Sequence, residues 1–314
     1  MLSVCVPNYS FLVLPQAHSP RNRGVEGPAG QVVCGQLHLL YDQLKASGLN
    51  FEVLVYEDAS PEPFFQHNQQ VANLGKEVRY KLLPSNVGRA SIRNLLATEA
   101  RFPNLLFLDS DSGFPEQFVS RYLPFLEQPL EFIVSGGRVY PQRDKIDRAY
   151  WLHQRYGQKR EQLDPTVRGE KRYHGFQTNN FLVSKALMLR HPFNESHAGY
   201  GHEDTLWGWQ LKELGIDIRR IDNPVIHLDL MPAEQFLSKQ LEAVENLKKL
   251  EEDFPNLPTR LSSFGKRWAW AKPLLMPVLT LLKPIAERKL VNDASGSLYW
   301  LDALKLYRYW KQSD

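Results

Sequence analysis

Short apolar runs recur through the first half of the chain, and each stops at a polar or turn-forming cluster. Leu2–Val6 stops at Pro7, Phe51–Tyr56 at Glu57-Asp58-Ala59-Ser60-Pro61, and Val78–Leu83 at Pro84-Ser85-Asn86-Val87-Gly88. Leu105–Leu108 runs into Asp109-Ser110-Asp111, and Glu131–Ser135 into Gly136-Gly137. Bounded apolar runs of this length read as strands, the Leu105 run as one buried on both faces. Between them the spacing turns helical. Val33, Leu37, Leu40, Tyr41 and Leu44 share one face before Gly48, which suits a C-terminal cap, and Ile92, Leu95 and Leu96 share another. This alternation predicts an α/β fold with a doubly wound, mostly parallel central sheet and flanking helices. Residues 11–31, broken by Pro and Gly, are expected as a long irregular loop.

The second half reads differently. Residues 141–175 are polar, basic and aromatic, and residues 177–190 open with Gln177-Thr178-Asn179-Asn180 before turning apolar. A helix is expected over Glu203–Leu214, stopped by Gly215. Short strands are expected at Ile216–Ile221 and Val225–Leu228, around Asn223-Pro224. Residues 233–252 carry the clearest amphipathic stripe, with Phe236, Leu237, Leu241, Val244, Leu247 and Leu250.

Chemistry gathers where the strands end. Asp109 and Asp111 fall at the carboxyl end of a buried strand, where open α/β sheets bind ligands. Two neighbouring carboxylates repel each other unless a cation neutralises them. A hard divalent ion, Mg2+ or Mn2+, suits such oxygen ligands. Taken alone, the pair reads equally well as an ordinary β-to-loop junction.

Composition allows a sizeable core: 43% of residues are hydrophobic and 23% charged, as in soluble globular proteins. The two cysteines, Cys5 in a strand and Cys34 in a helix, form neither a disulfide framework nor a zinc motif, and fit a reducing cytosol. No secretory signal is expected from the opening residues. The net charge of +3 is uneven: residues 260–314 hold ten Lys or Arg and four Asp or Glu, so the remainder is acidic on balance. A basic tail on an acidic body does not point to nucleic acid as a partner.

Eight stretches in order carry a family resemblance: Val6-Pro7-Asn8-Tyr9, Val55–Ser60, Asn86-Val87-Gly88 with Arg93-Asn94, Asp109-Ser110-Asp111, Gly136-Gly137, Asn179-Asn180, Gly201-His202-Glu203-Asp204 and His227. Over about residues 1–250 the chain resembles the bacterial family 2 inverting glycosyltransferases of the GT-A fold. It departs from their pattern at Ser10, where Asn is usual, and in the length of the segment after it.

The resemblance implies a nucleotide-diphosphate sugar donor, uridine the expected nucleotide, and an acceptor hydroxyl on a glycan or a lipid-linked molecule. It implies Asp111 as a metal ligand, Asp109 on the ribose or the metal, and His227 as a further ligand of Mn2+ or Mg2+. Pro7, Tyr9, Asp58 and Arg93 would bind the donor, with Asp58 on the base ring. Asp204 is the expected general base, set at a helix start where the dipole favours its ionised form, with Glu203 on acceptor hydroxyls. Asn180 and Trp207 would contact acceptor, Trp207 by stacking on sugar, although its pattern also suits a core residue. The other readings considered are a nucleotidyltransferase, with Pro20–Gly24 as its basic glycine loop, and a non-catalytic carbohydrate-binding protein. The Gly201–Asp204 stretch speaks against the first and the intact carboxylates against the second.

The expected division is a catalytic domain over 1–255 and a basic, apolar, mainly helical extension over 256–314. The longest uncharged run in the extension, Pro273–Leu282, is ten residues, against roughly 20 needed to span a bilayer. Two readings of residues 261–314 follow. They dock on an anionic membrane, placing a cytoplasmic enzyme peripherally on the inner face, or they pack against the catalytic domain or a second subunit.

Overall fold

Strand β4 (Asn104–Leu108) is buried throughout, and its side chains divide between two cores. Leu105 and Phe107 pack with Leu96, Phe181 and Trp207, while Leu106 and Leu108 pack with Leu40, Leu44 and Phe118. A strand apolar on both faces needs a covered sheet, and the chain supplies a layer on each side. The computed structural model describes residues 1–9, 29–128, 131–162, 164–166, 173, 175–196, 200–292 and 297–312. Most of the expected 11–31 loop, with Pro20–Gly24, lies outside the described residues. Its last part does not: helix α1 begins at Ala29 and runs to Ala46.

The described chain forms two compact units. The first comprises Met1–Pro141, Glu161–Glu195 and Glu203–Asp229. Its strands are β1 (Leu2–Asn8), β2 (Phe51–Glu57), β3 (Val78–Leu82), β4, β5 (Ser112–Gly113), β6 (Ile133–Ser135), β7 (Arg138–Val139), β8 (Asn180–Ser184), β9 (Ile218–Arg220) and β10 (Val225–His227). Seven make one sheet in the order β3-β2-β1-β4-β8-β6-β9. Only β8 among them runs antiparallel to its neighbours, its Asn180 pairing with Leu108 of β4 and its Phe181 with Ser135 of β6. The chain leaves β1 for β2 on one side and later returns to β4 on the other, so the sheet reverses direction at β1/β4. Such a reversal opens a crevice at the strand carboxyl ends. Helices α2 (Phe64–Asn68), α3 (Arg89–Glu99), α5 (Lys185–Arg190) and α6 (Glu203–Glu213) complete this unit. Ser184 caps α5 by accepting the Leu187 N–H at 3.3 Å.

The other three strands form a small sheet, β5-β10-β7. Ser112 pairs with His227 across β5 and β10, and Arg138 with Val225 across β7 and β10. Three separate segments are thereby tied together beside Asp111.

The second unit comprises Gln142–Arg160, Ser196–His202 and Leu230–Asp314. It holds α4 (Trp151–Tyr156), α7 (Ala233–Asp253), α8 (Arg260–Arg267), α9 (Lys272–Asn292) and α10 (Tyr299–Lys311). Leu152, Phe236, Leu237, Ala286, Leu290 and Leu301 share its core. His153 stacks on Phe236 at 4.4 Å, and its Nδ1 accepts the Met231 N–H at 2.9 Å. Tyr309 donates to Glu251 at 2.8 Å, joining α10 to α7. By its contacts α7 thus groups with the helices that follow it.

Candidate active site

Six segments of the first unit bring charged groups together at the crevice. At the end of β4, Asp109 gives its N–H to Asn179 O at 3.1 Å. Its Oδ1 is 2.9 Å from Arg93 Nη2. Arg93 comes from α3 and is buried; its other nitrogen, Nη1, donates to Arg89 O at 3.1 Å.

Two residues on, Asp111 meets β10. The His227 Nδ1 lies 3.0 Å from Asp111 Oδ2, and Leu228 N–H donates to Asp111 O at 3.0 Å. Burial alone would lower the His227 pKa, but Asp111 more than offsets this and the net shift is upward. Asp229 adds a second carboxyl here: burial first and Asp111 next push its pKa up, while His227 opposes them.

Arg138, Tyr140 and Glu161 form a set next to these groups, Tyr140 buried and the two charged side chains partly so. Arg138 Nη1 donates to the Tyr140 hydroxyl at 3.3 Å and lies 3.5 Å from Glu161 Oε2, and Tyr140 donates to Glu161. Tyr140 also meets His227 edge-on, with ring centroids 5.3 Å apart. Burial disfavours the Arg138 charge, but Tyr140, Glu161, Asp109 and Asp111 raise its pKa well above the ordinary value. The same Arg138 and Glu161 act electrostatically on Asp204, at the start of α6. Burial, then the charge of Glu203, push the Asp204 carboxyl up to about 7, against a Thr205 N–H that holds it down from 2.7 Å. The helix start was expected to favour the ionised form; burial and the like charge beside it outweigh that effect. Glu203 itself lies 3.6 Å from Arg89 Nη1.

The family model for glycosyl transferase family 2 matches residues 34–195, more than half of the chain. The chain belongs to that family, and it is a glycosyltransferase. No curated protein matches it. Solved structures share its fold. The mannosyltransferase PcManGT from Pyrobaculum calidifontis, in complex with GDP-Man and Mn2+, is similar at a TM-score of 0.57 and 16% identity, over 99% of this chain and 86% of that one. TarS 1-349 from S. aureus in complex with UDP is similar at a TM-score of 0.50 and 13% identity, over 100% of this chain and 92% of that one. Both likenesses establish the GT-A fold, whose mostly parallel sheet is the one described above.

Within this glycosyltransferase several residues expected to touch ligand serve the scaffold. Trp207 is 1% exposed, sits among Phe176, Phe181 and Phe193, and donates its indole N–H to His191 O at 2.8 Å. A ring with no open face cannot stack on a sugar, which corrects the acceptor role. Asn180 is fully buried: its amide donates to Gly137 O and Asn223 O at 2.9 and 2.8 Å and accepts from Tyr122 at 2.6 Å. It fixes the Gly136-Gly137 turn instead of meeting acceptor. A side chain at Gly136 would strike this node, its Cβ falling 2.5 Å from Asn180 Nδ2. Arg93, likewise buried, gives Nη2 to Asp109 and Nη1 to Arg89 O, so it positions Asp109.

Asp58 divides its two oxygens between Val87 N–H at 2.7 Å and Gly88 N–H at 3.0 Å, clamping the turn that starts α3. Its neighbour Glu57 is wholly buried and accepts from Asn8, Asn68 and Tyr80. Pro7 lies on β1 opposite Tyr56, and Tyr9 is exposed just past the strand end.

The Asp111 carboxylate fits Mn2+ or Mg2+; the His227 imidazole is a softer ligand and suits the transition metal Mn2+ better than Mg2+. Among the described residues no group of three or more His, Cys, Asp or Glu side chains is placed to hold a metal. Asp109, expected as a possible third ligand, is held by Arg93. Two protein ligands still suffice where substrate phosphates supply the rest.

Arg138, Tyr140, Glu161 and Asp229 were missed by sequence reasoning. Asp229 had a signal, since it stands two residues beyond His227 at a strand end, the spacing that drew attention to Asp109 and Asp111. Glu161 had none, lying in a polar stretch without periodicity.

Proposed function

We propose that this glycosyltransferase moves a sugar from a nucleotide-diphosphate donor, with uridine as the nucleotide, to an acceptor hydroxyl with inversion, in glycan or polysaccharide synthesis. The observation that carries the reading is the contact of Arg138 Nη1 with the Tyr140 hydroxyl at 3.3 Å and Glu161 at 3.5 Å, beside the Asp111–His227 pair at 3.0 Å. It joins the Asp109, Asp111 and His227 end of the crevice to Asp204. A donor pole and a base candidate are what single-displacement transfer needs side by side.

In this reading Asp111 and His227 hold a divalent ion, Mn2+ or Mg2+, which would neutralise charge developing on the departing diphosphate. Asp109, steadied by Arg93, meets the ribose. Pro7, Tyr9 and Asp58 frame the base ring. Asp204 takes the proton from the acceptor hydroxyl as the new bond forms at the anomeric carbon; a carboxyl titrating near neutrality is a stronger base than an ordinary Asp and is about half ionised near pH 7. Glu203 orients acceptor hydroxyls and raises Asp204 through its charge. Support for this donor class comes also from the two similar structures, one in complex with GDP-Man and Mn2+ and the other with UDP.

The experiment is a donor screen that detects nucleoside diphosphate release, run with manganese and with a chelator. Release of UDP from one donor, stopped by chelation, is expected. Pyrophosphate release would instead identify a nucleotidyltransferase, and binding without turnover a carbohydrate-binding protein.

A further inference from the structure

Residues 254–286 contain five Lys or Arg and no Asp or Glu. This stretch covers α8, the turn after it and most of α9, and it carries large apolar side chains left outside the core. On α9, Leu274, Val278, Leu281 and Ile285 recur at helical spacing and therefore lie along one face. Leu274 is 73% exposed, Leu281 75% and Trp270, in the preceding turn, 71%. Phe264 and Trp268 stack at 5.9 Å, and Trp268 lies 5.7 Å from Trp270, so an aromatic row continues the stripe. Of α9's own residues, Ala286 and Leu290, toward its C-terminal end, are buried. A contiguous apolar surface of this kind is rare on a monomer unless it meets something else.

Charge decides between the candidates. Arg260, Lys266, Arg267, Lys272 and Lys283 flank the stripe. Lys266 also reaches Glu251 at 3.1 Å, and Lys283 reaches Glu287 at 3.6 Å. A second copy on a two-fold axis would set this surface against itself, basic side on basic side, with the nearby carboxylates Glu251 and Glu287 already paired to Lys266 and Lys283. A bilayer with anionic headgroups offers the complement of both features: negative charge for Lys and Arg, and an apolar layer beneath for Leu and Trp. Among the described residues no helix is long and apolar enough to cross a membrane, so the surface would lie in the interface.

We propose that α8 and α9 dock this chain on an anionic membrane surface. Trp270, Leu274, Val278, Leu281 and Ile285 enter the boundary between headgroups and acyl chains. Arg260 and Arg267 meet the headgroups. The inference does not rest on the reading of the active site, because docking is measured without donor or acceptor.

The test is flotation of the full chain with phosphatidylcholine vesicles, with and without phosphatidylglycerol, at low salt and at about 0.5 M salt, where charges are screened within a few ångströms. The chain should float with the anionic vesicles, less so at high salt, and weakly with phosphatidylcholine alone. Its tryptophan emission should shift to shorter wavelength on binding. Leu274→Glu with Leu281→Glu should reduce the bound fraction by roughly tenfold or more. Both positions are exposed, so the melting temperature should be unchanged. Absence of flotation with phosphatidylglycerol at low salt would overturn the proposal, as would flotation undiminished in the double variant. A dimer that the double variant dissociates, without lipid binding, would assign the surface to a second copy.

Discussion

Asp111 and His227, 116 positions apart in sequence, meet at 3.0 Å because Ser112 and His227 pair across the small β5-β10 sheet. The carboxylate follows the last strand of the β1–β4 half, and the imidazole ends the last strand of the unit. Three short strands are therefore enough to fix the pair, and Arg138 enters the same sheet from β7. This small sheet, not the large one, sets the metal-binding geometry proposed here.

Asp111→Asn should abolish transfer and weaken metal-dependent donor binding, with the fold intact. The amide keeps the shape but loses the charge that a divalent ion requires. Calorimetric titration of donor with and without Mn2+ checks it. Wild-type turnover in the variant would remove Asp111 from the site.

Arg93→Ala should leave Asp109 without its cation in a largely enclosed place. Arg93 is buried but the Asp109 side chain is 30% exposed, so losing the partner should cost about 1–3 kcal/mol, below the range for a fully buried pair. Arg93→Lys should recover part of this, since Lys keeps the charge but lacks the fork that spans Asp109 and Arg89 O. Denaturant melts of both variants give the numbers. Equal stability of Arg93→Ala and wild type would refute the positioning role.

The large sheet was legible in the sequence because a strand buried on both faces leaves an unbroken apolar run, as in Leu105–Leu108, and a helix leaves a stripe, as in 233–252. The antiparallel course of β8 was not legible, since Asn180–Ser184 has the same composition as a parallel strand. Within the site, Asp111 and His227 stood out by their neighbours in sequence. Asn180, Arg93 and Trp207 stood out for the same reason, yet the structure turns them inward. A motif marks a position as constrained, and burial alone tells whether the constraint is chemical or architectural.

Trp207 makes that distinction testable. Trp207→Ala should destabilise the chain by about 3–5 kcal/mol, the range for emptying a large aromatic site in a core. Trp207→Phe should be milder and should leave the acceptor KM at the wild-type value. If Trp207→Phe raised the acceptor KM without lowering the melting temperature, the ring would be a sugar platform after all.

Asp204 offers the sharpest test, because stability and activity should move in opposite directions. Its folded pKa, about 7, lies above the ordinary 3.8. A carboxyl shifted this way holds its proton more tightly in the folded state, so folding loses stability as pH rises from the lower value through the upper one. Asp204→Asn removes that loss. The variant should melt above wild type at pH about 8 and converge with it in acid. Activity should respond the other way. A base works when ionised, so wild-type kcat/KM should rise with pH through a midpoint near 7 and then level off. Asp204→Asn should lower turnover roughly 10²-fold or more with donor affinity kept. Glu203→Gln separates the causes: it deletes the like charge that raises Asp204, so the activity midpoint should move to lower pH. Melting curves and pH–rate profiles of the three proteins check this. A rising limb that persists unchanged in Asp204→Asn would place the base on another residue.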